Sequence, residues 1–351
     1  MKYINLYIAF FIALLSSCSA SKFISENEYL LDKVELKSTE KGFDAALLGP
    51  YIKQKANSKW FSIFKIPLAT YSLAGKDTAK WINRTLRNIG EEPVIYDVNQ
   101  AHQSQSDLLA AMHNMGYMHA SVQLDTHTKG KKITATYTIT PGQAYFIDNV
   151  HYIIDDDSIA NLLKIEQPNS KFHIAKGTKF SVDKLDNIRK RISDYLLNSG
   201  FYRFNKDFIQ FTVDSAANSQ LLDVTMHLYP YRAYNDAPAV FHPRYKVGRI
   251  DYHTDNANGY LRRKIMLNNT ALVQNDFFSE LKLQRTYNNF AKLGAVRYTN
   301  IQFEEVPDSQ VLNTLIELTM NKPSSVSFQP EGTNTAGDLG AAVSLTYTNK
   351  N

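Results

Sequence analysis

The chain has 351 residues, enough for two or three domains that each bury their own core. A composition of 44% hydrophobic and 21% charged residues excludes a disordered chain, and 21 Tyr and 19 Phe against 2 Trp favour strand-rich structure. The net charge of +5 fits a solvated surface, with attraction to acidic lipid or nucleic acid as the weaker alternative, and a single cysteine excludes an internal disulfide framework.

The chain starts with a short basic segment, Met1-Lys2-Tyr3, followed by an apolar run from Leu6 to Leu15 that is too short to span a bilayer. The run ends in Leu15-Ser16-Ser17-Cys18. This resembles the bacterial lipobox. The resemblance implies that residues 1–17 are a signal peptide and that Cys18 carries the lipid and becomes the new N-terminus. It also implies that Ser19, in place of an Asp, directs the chain to the outer membrane. Such a lipid holds a protein on a membrane without spanning it.

After a linker over residues 18–26, Val34 and Leu36 alternate with Lys33, Glu35 and Lys37 and predict a half-exposed strand. Ala45 to Lys55 reads as helical, interrupted by Pro50. Trp60-Phe61-Ser62-Ile63-Phe64-Lys65-Ile66 is dense in large apolar residues, which suggests packing in a groove or on a membrane face. Asp77 can cap a helix with Ile82, Leu86 and Ile89 on one face, stopped by Gly90. A second helix, Gln103 to Met115, places Leu108, Met112 and Met115 in a stripe and closes at Gly116-Tyr117. Strands through Val122 and Leu124 and from Lys132 to Thr140 flank a turn at Lys129-Gly130-Lys131.

Pro141-Gly142-Gln143-Ala144-Tyr145-Phe146-Ile147 is the joint at which this unit closes and the next opens. A strand from Ile147 to Ile154 follows, then a turn and helix cap at Asp155-Asp156-Asp157-Ser158; no calcium-loop spacing follows the three acids. A helix from Ser181 carries Leu185, Ile188, Ile192 and Leu196 to Asn198-Ser199-Gly200, and two alternating strands run through Phe211 and Val224. A third copy starts near Tyr245 and has a helix with Leu283, Tyr287 and Phe290, ending at Leu293-Gly294; strands through Ile301 and Ile316 follow. Gly116, Gly200 and Gly294 set a period of roughly 85–95 residues, which suits small tandem domains rather than a solenoid.

The element order strand, helix, helix, strand, strand resembles the polypeptide-transport-associated (POTRA) domain. The carriers are Asn114-Met115-Gly116-Tyr117, Asn198-Ser199-Gly200-Phe201 and the joint at Pro141 to Ile147. The third copy departs from the pattern, with Ala295 in place of the aromatic and an irregular approach from Tyr231 to Pro243. A lipobox before an enlarged first domain, with Trp81 and Gly90-Glu91-Glu92-Pro93-Val94, resembles the lipidated TamA-like branch of the BamA/TamA outer-membrane insertase superfamily. The resemblance implies an α+β fold with POTRA-like domains at 27–142, 143–232 and 233–321.

From 322 to 351 the resemblance implies the start of an outer-membrane β-barrel. Ser325 to Phe328 and Ala341 to Thr348 alternate as barrel strands do, although periodicity alone leaves an ordinary hairpin open. Two strands cannot close a barrel, so the expectation is an N-terminal piece of a longer protein.

The nine histidines do not group as metal ligands, and neither a phosphate loop nor a nucleophile elbow occurs. No catalytic site and no cofactor is expected. The expected activity is strand-edge binding in the periplasm, assisting the assembly, insertion or translocation of outer-membrane material. Expected partners are outer-membrane lipid, unfolded outer-membrane or exported protein clients, and a long TamB-like periplasmic protein, with no nucleic acid. A lipid-anchored docking lipoprotein without a barrel is the alternative, followed by a two-partner-secretion transporter.

Overall fold

A computed structural model describes residues 23–60, 65–75, 77–215, 219–234, 236–255, 261–322, 324–335 and 338–349. The fold is mixed α+β, with three three-stranded sheets in tandem followed by a two-stranded hairpin. Contacts divide the chain into two compact units. One holds residues up to Asn149 with Lys176–Lys184 and Asp214–Asp223; the other holds Val150–Ala175, Leu185–Val213 and the chain from Val224 on. Among the described residues no helix is long and apolar enough to cross a membrane.

The first sheet is built from β1 (Leu30–Ser38), β2 (Ser121–Lys129) and β3 (Lys132–Thr140), in the order β1-β3-β2. Strand β1 pairs parallel to β3, and β2 pairs antiparallel to it. Strand β3 occupies the predicted residues, and Ile133, Ala135, Tyr137 and Ile139 are buried in strict alternation. They meet Leu108, Ala111 and Met112 on the packed face of a long helix. Between β1 and β2 run a 3-10 helix (Ala45–Tyr51), then α1 (Ile66–Leu73), α2 (Trp81–Ile89) and α3 (Val98–Asn114). The helix expected over Ala45 to Lys55 is therefore a short 3-10 segment with Pro50 inside it. Helix α3 starts earlier than its apolar stripe suggests, because Asp97 caps it by accepting the N–H groups of Asn99 and Gln100.

The second sheet, β4-β6-β5, uses β4 (Phe146–Ile154), β5 (Ile209–Ser215) and β6 (Leu221–Leu228). Its helices are α4 (Asp157–Leu163), capped by Asp156 within the stretch Asp155 to Ser158 that the sequence marks as turn and cap, and α5 (Val182–Leu197). Ile159, Ile192, Leu196 and Met226 lie in its core. The third sheet repeats the order as β7-β9-β8, from β7 (Lys246–Thr254), β8 (Val296–Glu305) and β9 (Val311–Met320). It is covered by α6 (Arg263–Asn269) and α7 (Glu280–Ala291), with Phe290 and Ile316 fully buried. The hairpin pairs β10 (Ser324–Thr335) with β11 (Asp338–Asn349) in unbroken antiparallel register.

Candidate functional site

In all three sheets the last strand of the unit sits in the middle, so the first and second strands are edges. Each first strand is closed at its start by a returning segment. In the first unit, Leu31 N–H donates to the Val94 carbonyl at 2.8 Å and Tyr96 N–H to the Tyr29 carbonyl at 2.8 Å. In the second, Ile147 N–H donates to Thr178 at 2.9 Å and Phe180 N–H to Tyr145 at 2.9 Å. In the third, Val247 N–H donates to Asp276 at 2.8 Å and Phe278 N–H to Tyr245 at 3.0 Å. The sequence carries a signal for this device that periodicity alone does not read. Tyr29-x-Leu31, Tyr145-x-Ile147 and Tyr245-x-Val247 are each answered by an aromatic, Tyr96, Phe180 or Phe278.

Beyond that closure, β1 borders a groove of about 850 Å³ between the strand and the 3-10 helix segment. Val34, Leu36, Phe43, Ala45, Ile52 and Ala56 supply apolar lining, and Asp32, Lys33, Lys55 and Lys59 are among its polar lining. Glu35, on the same strand, has its carboxyl held down to about 2 by hydrogen bonds from Lys33 and Lys37. An unpaired strand edge beside an apolar trough is what an extended peptide needs, since backbone bonds hold it and alternate side chains enter the trough.

The second-strand edges are open as well. The Val122 carbonyl accepts from Gln105 Nε2 on α3 at 2.7 Å, so it points away from β3. By the alternation of an antiparallel ladder, Leu124, Thr126 and Thr128 present their backbone groups to that same outer side. In the third sheet the middle of β8 is fastened from α7, where Ile301 N–H donates to the Tyr287 hydroxyl at 3.1 Å. The remainder of each edge pairs with no named strand among the described residues.

The joints repeat with similar care. Tyr145 N–H donates to the Gly116 carbonyl at 2.8 Å, and Tyr245 N–H to the Gly200 carbonyl at 2.7 Å. Gly116 and Gly200 have φ of +86° and +106°, the left-handed region that favours glycine. His119 lies 2.9 Å from the Tyr145 hydroxyl, and next to Gly116 the Tyr117 ring has Lys179 Nζ 3.9 Å from its centre. Around Tyr245 lie the Glu305 carboxylate, which accepts its hydroxyl at 2.8 Å, and the rings of Tyr202, Phe278 and Phe303. Burial, with Glu305 as acceptor, pushes the Tyr245 hydroxyl up to about 12. Gly294 corrects the expectation of three matching helix stops. It has no positive φ, and nothing lies within 4 Å of where its Cβ would be.

The hairpin has one apolar side. Val326 pairs with Tyr347, Phe328 with Leu345 and Pro330 with Val343, and directly paired residues share a face. Val326, Phe328, Val343, Leu345 and Tyr347 are all exposed. A two-stranded ribbon with a bare apolar face is marginal in water.

Of the other residues singled out in the sequence, Cys18 and the segment before it lie outside the described residues, as do residues 61–64. Trp60 is exposed. The helix predicted from Asp77 is present as α2, but Ile82 and Ile89 face outward rather than into a core, and Lys80 is its N-cap. Among the described residues no group of three or more His, Cys, Asp and Glu is placed to hold a metal ion.

No family model matches the chain, and no curated protein matches it. Among solved structures it is similar to POTRA domains 3–5 of BamA from Haemophilus influenzae, at 10% identity and a TM-score of 0.41, covering 85% of this chain and 99% of that one. It is similar to POTRA domains 1–3 of the periplasmic domain of Omp85 from Anabaena, at 9% identity and a TM-score of 0.28, covering 85% and 98%. A third is BamA from Haemophilus ducreyi lacking POTRA domains 1–3, at 14% identity and a TM-score of 0.40, with 57% of this chain matched to 34% of that one.

Proposed function

We propose that the chain is the periplasmic POTRA arm of an outer-membrane assembly protein of the BamA/TamA type, tethered through lipid on Cys18. Its domains fall at 27–142, 143–232 and 233–321, and the segment from 322 begins a membrane barrel. The arm receives extended client segments on its strand edges and passes them toward the barrel seam that β10 and β11 open; a TamB-like protein is the periplasmic partner. It works by binding, without catalysis.

The observation that carries this reading is the β1 edge, which beyond the Asp32 carbonyl held by Lys65 pairs with no named strand among the described residues and is set beside an apolar groove. The hairpin supports the barrel, since an apolar side alternating with a polar one suits a strand between lipid and lumen. The test is binding of a synthetic peptide of alternating apolar and polar residues, with a photo-crosslinker placed at Val34 or Thr126 of the full chain. Crosslinks at either position that a competing unlabelled peptide removes are expected. Labelling that ignores both edges overturns the proposal. Thr126→Pro removes an outward N–H without touching the β2–β3 ladder, so it weakens capture at β2 while circular dichroism stays unchanged.

A further inference from the structure

Helix α2 is built inside out. Its buried side chain is Asn83, whose Oδ1 accepts the Gly75 N–H at 2.8 Å and whose Nδ2 donates to the Asp77 carbonyl at 2.7 Å. Arg87 also turns inward. It donates to the Gly75 carbonyl at 2.9 Å and lies 5.2 Å and 5.6 Å from the ring centres of Phe23 and Tyr71. The outer side belongs to Trp81, Ile82, Thr85 and Ile89, which fall within an arc of about 100° at helical spacing. Trp81, Ile82 and Ile89 are 68%, 52% and 70% exposed. A helix of a globular protein normally turns that stripe to its core.

Three observations say what covers it. Lys59, Lys80 and Arg84 are exposed around this hairpin of helices; Asp77 is the one acid from Ser58 to Gly90, and of Glu91 and Glu92 just past α2 the first is held by Ser58. Both tryptophans of the chain, Trp60 and Trp81, are exposed here, and tryptophan is the side chain that settles at a membrane–water interface. The chain also emerges at this place. Phe23 packs edge-on against Tyr71 of α1 at 5.3 Å, and Cys18 precedes Phe23 by so few residues that an extended chain reaches at most roughly 18 Å between them.

We propose that the outer face of α2 docks on the headgroup region of a bilayer containing anionic lipid, with Trp81, Ile82 and Ile89 entering the interface and Lys80 and Arg84 meeting lipid phosphates. This deepens the reading of Cys18 as a lipid anchor. A tether that close holds the helix at high effective concentration over the surface, so a weak contact suffices to fix it there.

The experiment uses the chain from residue 18 with Cys18→Ser, mixed with phosphatidylcholine vesicles with and without phosphatidylglycerol. Indole emission reports on Trp81 of this face and on Trp60 alone, because the chain has no other tryptophan, and Trp60→Phe isolates the signal of Trp81. The expected result is a blue shift with the anionic vesicles, quenching by brominated lipid and reversal by salt. Ile82→Asp with Ile89→Asp keeps both probes, alters only exposed positions and lowers partitioning at least roughly tenfold. Lys80→Glu and Arg84→Glu each remove about fivefold of the preference for anionic lipid. If the chain sediments with vesicles while its emission stays that of water-exposed indole, the contact lies elsewhere, such as on the hairpin, and the proposal falls. It falls equally if nothing binds, or if the aspartates change nothing. Mass spectrometry of the full-length protein from membranes reads acylation at Cys18 separately, so failure of the anchor and failure of the docking face are told apart.

Discussion

The two joints share one backbone and differ in what fastens it. At the first, the Gly116 carbonyl, the Tyr145 amide and the Phe180 amide form a short relay, with the Tyr145–His119 bond, the Gln220–Gln143 bond and Lys179 over the Tyr117 ring beside it. At the second, the equivalent relay through Gly200, Tyr245 and Phe278 is surrounded by more. Arg203 pairs with Glu305 and donates to the Tyr231 hydroxyl, Ser279 donates to Asn198, and Arg244 lies 3.6 Å from the centre of the Phe277 ring. The constant part is the part that sets the angle of the chain. The variable part is the side chains around it, and the second joint carries more of their bonds.

The largest effect that separates them comes from the glycines. A Cβ on Gly116 would stand 2.5 Å from the Phe180 carbonyl oxygen, a backbone atom that cannot step aside, and the residue would also carry a φ of +86°. Gly116→Ala is expected to cost roughly 2–4 kcal/mol, the sum of left-handed strain and a steric clash. At Gly200 the nearest atoms are side-chain carbons of Arg244 and Phe277, both at 3.0 Å, which can give way, and the Tyr245 carbonyl oxygen stands farther off, at 3.2 Å, than the Phe180 oxygen does at Gly116. Gly200→Ala is expected to cost about 1–2 kcal/mol, most of it backbone strain. Denaturant unfolding of the two variants, with hydrogen exchange at the Tyr145 and Tyr245 amides, checks the order. Equal losses would show that the joints are fastened alike after all.

Much of this was legible in the sequence, and the reason lies in which forces act locally. Strand β3 was readable because each of its apolar residues, Ile133 to Ile139, points to one buried face. The cap at Asp156 was readable because it needs only the next three residues. Gly116 and Gly200 were readable as stops, but Gly294 was read as the same thing and is not, since a stop glycine and a joint glycine share a letter and differ in φ. The face of α2 was misread for a related reason. Ile82, Leu86 and Ile89 have core spacing, and nothing local reports that Asn83 and Arg87 find their partners inward, at Gly75 and Asp77. The closure of the first strands was missed because the bond from Leu31 to Val94 joins residues far apart in the chain.

A smaller effect sharpens the comparison at the tyrosines. Tyr245→Phe removes a bond to a carboxylate and is expected to cost about 1.5–3 kcal/mol. Tyr145→Phe removes a bond to a histidine and is expected to cost about 0.5–1.5 kcal/mol. Spectroscopic titration offers an independent reading, because the Tyr245 hydroxyl should keep its proton until pH reaches about 12. A Tyr245→Phe variant that leaves the titration curve of the tyrosines unchanged near that pH would place the shifted group elsewhere.

The subtlest effect is a response to acid beside the second joint. The irregular approach from Tyr231 to Pro243 buries His242 among the rings of Phe204, Phe208 and Tyr231. Its Nε2 lies 2.9 Å from the Tyr229 carbonyl and so carries the hydrogen, while its backbone N–H donates to Asp156 Oδ2 at 3.2 Å. Nδ1 is buried with no partner of its own. Burial lowers the imidazole below its ordinary value of 6.5; the bond to Tyr229 and the Asp156 carboxylate pull upward, but burial prevails. The sign follows from linkage. Above 6.5 the ring is neutral folded and unfolded, and its contribution is complete. As pH falls through 6.5 the unfolded chain takes up a proton that the folded one resists, so stability declines. Other groups titrate over the same range, so the reading is a difference: the slope of stability against pH just below 6.5 should flatten in His242→Gln. The loosening should appear first in exchange of the Tyr245 amide, with the Tyr145 amide unaffected by the substitution. An unchanged slope would mean that the ring takes its proton in place, with Asp156 close enough to hold it.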